Sequence, residues 1–316
     1  MDRAIDIAIG NVGALEAPGS LPASAPRKWT LPQLRRWPQR PAWLHGWASE
    51  WAVLIPALVV AVLVVCAAAP GLLAPFDPTD MDVEAILQAP GAQHLLGTDQ
   101  FGRDVLSLLI YGARQSLLMG AFAVFIGGIL GGLIGLASGY IGSYVDAVLM
   151  RAIDIKLAVP GILLAIVVST ALGASLTNTI IAVGLISVPR YARVMRSQVI
   201  TIKNRPFVEA ARSIGTSQAA ILFKHILPHC WSPMLVMATL GVGSSILIGS
   251  SLSFLGLGII DDRPDWGFLL SQGRSYLSVA WWIATFPGLA ITALVVSVNL
   301  LGDELRHHVD PQKRVG

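Results

Sequence analysis

Asp261, Asp262 and Asp265 crowd into five residues, a spacing that suits acid–base work or a hard cation. No histidine stands beside them, so catalysis there would need a base from elsewhere in the chain. His307 and His308 are adjacent, which on a helix turns their rings about 100° apart. A solvated tail suits them better than a metal site. Asp99 and Asp104 lie near Gly97 and Gly102 and invite a metal or phosphate reading. Arg103 between them favours an internal ion pair and a helix cap instead. Cys66 and Cys230 have no zinc-like spacing, and no disulfide is expected of them. None of the five lysines follows a glycine, so the chain lacks a phosphate-cradling Gly-Lys-Ser/Thr loop and is not expected to hydrolyse ATP itself. No catalytic residue, metal or cofactor is expected.

The elements that carry these residues are apolar. The 316-residue chain is 54% hydrophobic and 13% charged, where a soluble domain carries roughly a quarter charged residues. It reads as a membrane protein. Five long runs lack any charge: 51–74, 116–140, 157–189, 233–260 and 275–302. Each exceeds the ~20 residues that a helix needs to cross a bilayer core. The third run, at 33 residues, is long for one span and short for two. If it turns near Gly173 to Asn178, loops on the N-terminal side hold 18 of the 22 Lys and Arg; as one span the split is 10 against 12. The positive-inside rule then favours six helices with both termini cytoplasmic. The expected spans are about 51–74, 116–138, 157–174, 177–194, 233–258 and 278–302, with Arg190 and Arg193 at the cytoplasmic end of the fourth. The net charge of +3 follows from this topology and points to no nucleic-acid partner. The first span is too long for a signal-peptide core, and Val65 before Cys66 argues against lipoprotein processing, so this helix is read as an anchor. Ionisable residues occur only at span ends, which counts against a proton- or sodium-coupled secondary carrier.

Residues 1–40 hold five prolines and little periodicity, and read as a flexible cytoplasmic tail. Trp43, Trp47 and Trp51 recur every four residues, so 41–50 is read as an interfacial helix. Residues 303–316 form a second cytoplasmic tail. Gly127, Gly131, Gly135 and Gly139 share one helical face, a pattern that lets two helix backbones approach closely. Pro160 and Pro287 mark sites where spans can kink.

One polar stretch interrupts the apolar chain. Pro206 suits a first helical position, and Phe207, Ala210, Ala211 and Ile214 form an apolar stripe. Gly215 suits a left-handed helix stop. Ser217 can cap a second helix whose Ala219, Leu222, Phe223 and Ile226 repeat the stripe until Pro228. Such a knob either packs under its own bundle or docks a partner, and its physics alone does not choose.

The residues carry a resemblance. Glu209-Ala210-Ala211, then Gly215 after three residues, then Leu227-Pro228 after eleven, is similar to the EAA loop of ABC-type importer permeases. His225 stands where the general pattern has isoleucine, as in the peptide-type branch. LGTDQFGRDVLS at 96–107, YGARQSL at 111–117, GYIGSYVD at 139–146 and MRAIDIKLAVP at 150–160 resemble the "C"-type dipeptide and oligopeptide permeases. So do VPRYARVMRSQV at 188–199, SFLGLG at 253–258 and DWGFLLSQGRSYL at 265–277. Leu108 departs from the arginine common in that branch, and Asp261 and Asp262 from its polar and proline residues.

The resemblance implies an all-α polytopic protein with the six-helix type I ABC importer permease fold, lying in a bacterial inner membrane. It implies a second homologous permease, two ABC ATPase subunits docked on the EAA loops, and an extracytoplasmic solute-binding protein, all around the lipid bilayer. The coupling loop is then 205–228, with Glu209, Ala210, Ala211, Gly215, Ser217, Leu227 and Pro228 as its signature. Gly97, Asp99, Gly102, Arg103 and Asp104 mark an extracytoplasmic family segment. Peptides are the expected cargo, with nickel or metallophores, glutathione or another small solute as alternatives.

Overall fold

The computed structural model describes residues 42–258 and 264–309, and among them every regular element is helical. The proline-rich tail, the side chains of Trp43, Trp47, His307 and His308, and residues Asp261 and Asp262 lie outside what is described. The described residues from Gly46 onward make one compact unit. Its elements are α1 (Ala42–Ala68), α2 (Pro70–Leu73), a 3-10 turn (Val83–Ala85), α3 (Val105–Ile141), α4 (Ser143–Ala158) and α5 (Gly161–Leu172). They continue with α6 (Leu176–Lys203), α7 (Pro206–Ser213), α8 (Gln218–Phe254), α9 (Trp266–Arg274) and α10 (Trp282–Val309). From residue 42, α1 runs without a break through the Trp-bearing stretch into the first apolar run.

Among the described residues, α3, α8 and the Trp282–Arg306 part of α10 are each long and apolar enough to cross a membrane. α4 and α5 pass together as one bent element, 89° apart at the break. The break falls at Val159–Pro160, where proline has no N–H to continue a helix and pushes the residue before it into extended backbone. The long third apolar run is itself interrupted at Gly173, whose φ of +87° ends α5 three residues before α6 begins. α6 then extends well past residue 194, to Lys203.

The bundle is built on the glycine stripe. A methyl added at Gly127 would lie 3.0 Å from the Gly184 carbonyl oxygen; at Gly131, 2.5 Å from that of Val188; at Gly139, 2.9 Å from that of Arg196. At Gly135 it would strike the Ala192 carbonyl. The α3 backbone therefore lies directly on α6. Partners rise together in both helices, so α3 and α6 run parallel. Parallel neighbours need a connection that returns to the starting end, and the bent α4–α5 pair is that connection. Two tryptophans tie the far helices to α3 and to the segment that leads into it. Trp266 of α9 donates from Nε1 to the Leu109 carbonyl at 2.9 Å and covers Gly112. Trp282 of α10 donates to the Thr98 carbonyl at 3.0 Å.

Candidate functional site

The knob begins where α6 ends. α7 starts on Pro206 and stops in a Schellman motif: Gly215, at φ +82°, gives its N–H to Arg212, and Thr216 gives its own to Ala211. Ser217 accepts from the Ala220 N–H at 3.3 Å and starts α8. That helix does not stop at Pro228. Residues Ile221–Ile226 widen into π-helical turns, with the Leu227 N–H reaching back five residues to Leu222. The missing proline donor and the clash its ring would make are absorbed there, and α8 carries on into the bundle.

This changes which side chains face inward. Val208 and Ala211 are the buried residues of α7, while Ala210 and Ile214 of the expected stripe are exposed, and Phe207 is exposed against the His229 ring at 5.2 Å. On the second helix the buried residues are Ile221, Ile226 and Cys230. Ala219 and Phe223 point out, and Leu222 is half-buried. The five-residue step from Ile221 to Ile226 is a π-helical step, so a 3.6-residue count misplaces the stripe.

Val208, Ile221 and Ile226 share one core with Val124 of α3 and Tyr191, Met195 and Val199 of α6. Two polar anchors reinforce it that the sequence did not reveal. Lys203 donates to the Tyr140 carbonyl at 2.6 Å, and the Tyr140 hydroxyl donates to Gln218 at 2.7 Å. The knob is thus fastened to the C-terminal end of α3. Its outer surface keeps Ile214, 83% exposed, and Phe223, 61% exposed. Glu209 is exposed, on the first turn of α7. Leu227 is half-buried and Pro228 exposed on the helix above.

The other signature segment sits at the opposite end of α3. Asp99 is fully buried and receives Arg103 at 2.7 Å as well as the N–H groups of Phe101 and Arg103. Asp104 caps α3 by accepting from the Ser107 N–H at 2.8 Å, and its other oxygen meets His94 Nδ1 at 3.0 Å. Gly97 and Gly102 both have left-handed φ, and a side chain at Gly102 would run into the Asp82 backbone. Both carboxylates are therefore engaged in folding this segment, and it presents no open anion or metal cradle. Among the described residues no group of three or more His, Cys, Asp or Glu is placed to hold a metal.

A parallel helix pair, a bent return element and a capped knob fastened to them make up a helical membrane subunit. Residues 128–315 match the family of binding-protein-dependent transport system inner membrane components, and the chain belongs to that family. It is a permease subunit of an ABC importer. It is 41% identical to the di/tripeptide transport system permease protein DppC of Pseudomonas aeruginosa, covering 81% of this chain and 86% of that one. It is 38% identical to the glutathione transport system permease protein GsiD of Pectobacterium atrosepticum, covering 90% and 95%. Among solved structures, a chain of the MetNI methionine ABC transporter aligns with a TM-score of 0.53 at 18% identity, covering 64% of this chain and 96% of that one. At that identity the likeness speaks for the fold.

Proposed function

We infer that this chain forms half of the translocation pathway of an ATP-driven importer of di- and oligopeptides. A second, homologous permease supplies the other half, two ATPase subunits drive the pair, and a solute-binding protein delivers cargo from the far side. The six spans expected from charge placement, with both termini cytoplasmic, put the knob on the ATPase side. The observation that carries this reading is the knob's division into two faces: Val208, Ile221 and Ile226 locked into the bundle core, Ile214 and Phe223 left exposed beyond it. An apolar tip on a rigid mount suits a groove on a moving partner. Closure of the ATPase pair on ATP would push the knob, and the parallel α3–α6 pair, joined to it through Tyr140 and Lys203, would tilt with it. The chain contributes no hydrolytic group to that cycle; the ATPase subunits do the chemistry. Peptide cargo is favoured by the similarity to di/tripeptide and dipeptide permeases. Glutathione, itself a peptide derivative, is the second reading because the similarity to glutathione permeases covers as much of the chain.

A cysteine placed at Ile214 tests the docking. It should crosslink to a cysteine in the ATPase groove, with a yield that changes on adding ATP; silence there while a cysteine at Ser197 crosslinks would remove the coupling role. ATP hydrolysis by the assembled complex with its binding protein should rise with dipeptides. A rise with glutathione alone would select the second reading.

A further inference from the structure

Three arginines stand at three-residue intervals on α6: Arg190, Arg193 and Arg196. Arg193 meets Asp154 at 2.6 Å, and Arg196 grips Asp146 through two bonds of 2.6 Å. Those two aspartates are the only acidic residues of α4. Arg190 is exposed and has no carboxylate or hydrogen-bond partner among the described residues. It lines a cavity of about 440 Å³ between the end of α4, α6 and α8, together with Ser187, Tyr191, Ser244 and Ile248. The Ser187 and Ser244 hydroxyls donate to carbonyls of their own helices, at 3.0 and 2.9 Å, and so present lone pairs but no charge. Arg193 lines the same cavity already neutralised. Among the described residues that line this cavity, one unanswered positive charge remains.

Its place on α6 gives the charge meaning. Arg190 lies fourteen residues from the start of α6, about 21 Å along the axis, at the cytoplasmic end of the expected fourth span. A charged side chain at a span end is costly in lipid unless it reaches water or a ligand, and Arg190 reaches a cavity between helices. The cavity falls within the ~300–1,000 Å³ typical of small-ligand sites.

We propose that Arg190 is the anion contact of the translocation pathway and takes the carboxylate of the cargo as it passes between α6 and α8. The proposal rests on the importer reading above and narrows its cargo to solutes bearing a free carboxylate. A guanidinium offers a planar fork that a carboxylate can meet with two hydrogen bonds. Exposure to cavity water keeps the contact weak enough to release. One step further, about 4.5 Å along the helix, the cargo meets Arg193 with its charge already satisfied by Asp154, so nothing there holds it back.

The test uses the full complex in proteoliposomes, with the binding protein saturated beforehand by each cargo so that its own preference drops out. Trialanine, trialanine C-terminal amide and glutathione are compared in the wild type, Arg190→Gln and Arg190→Lys. The wild type should move the free acid about tenfold faster than the amide. Arg190→Gln should bring that ratio close to one, and Arg190→Lys should keep most of it. A wild type that treats acid and amide alike, or Arg190→Gln with an undiminished ratio, overturns the proposal while leaving peptide transport standing. If the wild type moves glutathione but neither peptide, the peptide reading fails. Arg190 is then judged on glutathione: a loss in Gln restored by Lys supports it, and equal rates overturn it. Transport of none of the three overturns both.

Discussion

Asp146 sits in the first turn of α4, and Arg196 and the Ser138 hydroxyl hold its carboxyl down at about 2. Because the folded pKa is depressed, the stabilisation is present above the ordinary carboxylate range and is lost as pH falls towards 2. Arg196→Gln should therefore lower the melting temperature in detergent at pH 7, with the gap to wild type closing below about pH 3; a gap that is flat with pH would mean the arginine acts by packing alone. Asp265 has the opposite sign. It caps α9 by accepting from the Gly267 N–H at 3.2 Å, its other oxygen has no partner among the described residues, and burial pushes its carboxyl up. Its contribution is complete below the ordinary range and erodes as pH rises. Asp265→Asn keeps an acceptor for the cap and removes the buried charge, so it should melt above wild type at pH 8 and level with it near pH 4. The caps at Asp104 and Ser217 could be read from three-residue spacings. The Asp146–Arg196 pair, fifty residues apart, could not, because nothing local specifies it.

Among the helices, the α3–α6 contact is the one most exposed to single changes. Gly135→Ala places a methyl against the Ala192 carbonyl, a backbone atom that cannot swing aside. The two helices must separate, and a loss of about 1–3 kcal/mol is expected in detergent unfolding. Gly128, one position along from the stripe, has nothing within 4 Å of an added methyl, so Gly128→Ala should leave stability level or raise it slightly. Equal effects at both sites would show that helix propensity, not backbone contact, governs the pair. The stripe itself is plain in the sequence. Its partner is not: a period of four says that something lies close, but not which helix or in which direction. The same limit applies to the knob. Proline at 228 suggested a helix end, whereas the wider turns of Ile221–Ile226 carry the helix through it and rotate its buried face.

On the proposed reading the subunit joins a rigid mount to an exposed contact, and the two can be separated experimentally. Ile214→Asp alters a side chain that the fold does not use, so the subunit should retain its melting temperature. Cargo uptake by the complex should fall at least tenfold, with weaker retention of the ATPase subunits in pull-downs; a fall in melting temperature of similar size would instead make Ile214 part of the bundle. Composition and charge placement were enough to indicate a membrane protein and a break in its third apolar run, because the bilayer acts on every residue by the same rule of depth. Short motifs were enough for the family and the caps, because those are local in the chain. The parallel pairing of α3 with α6, the inward face of the knob and the absence of a partner for Arg190 among the described residues emerged only on folding. Each depends on which distant residues meet, and a carboxylate absent from the third position opposite α6 is visible only when α4 lies alongside it.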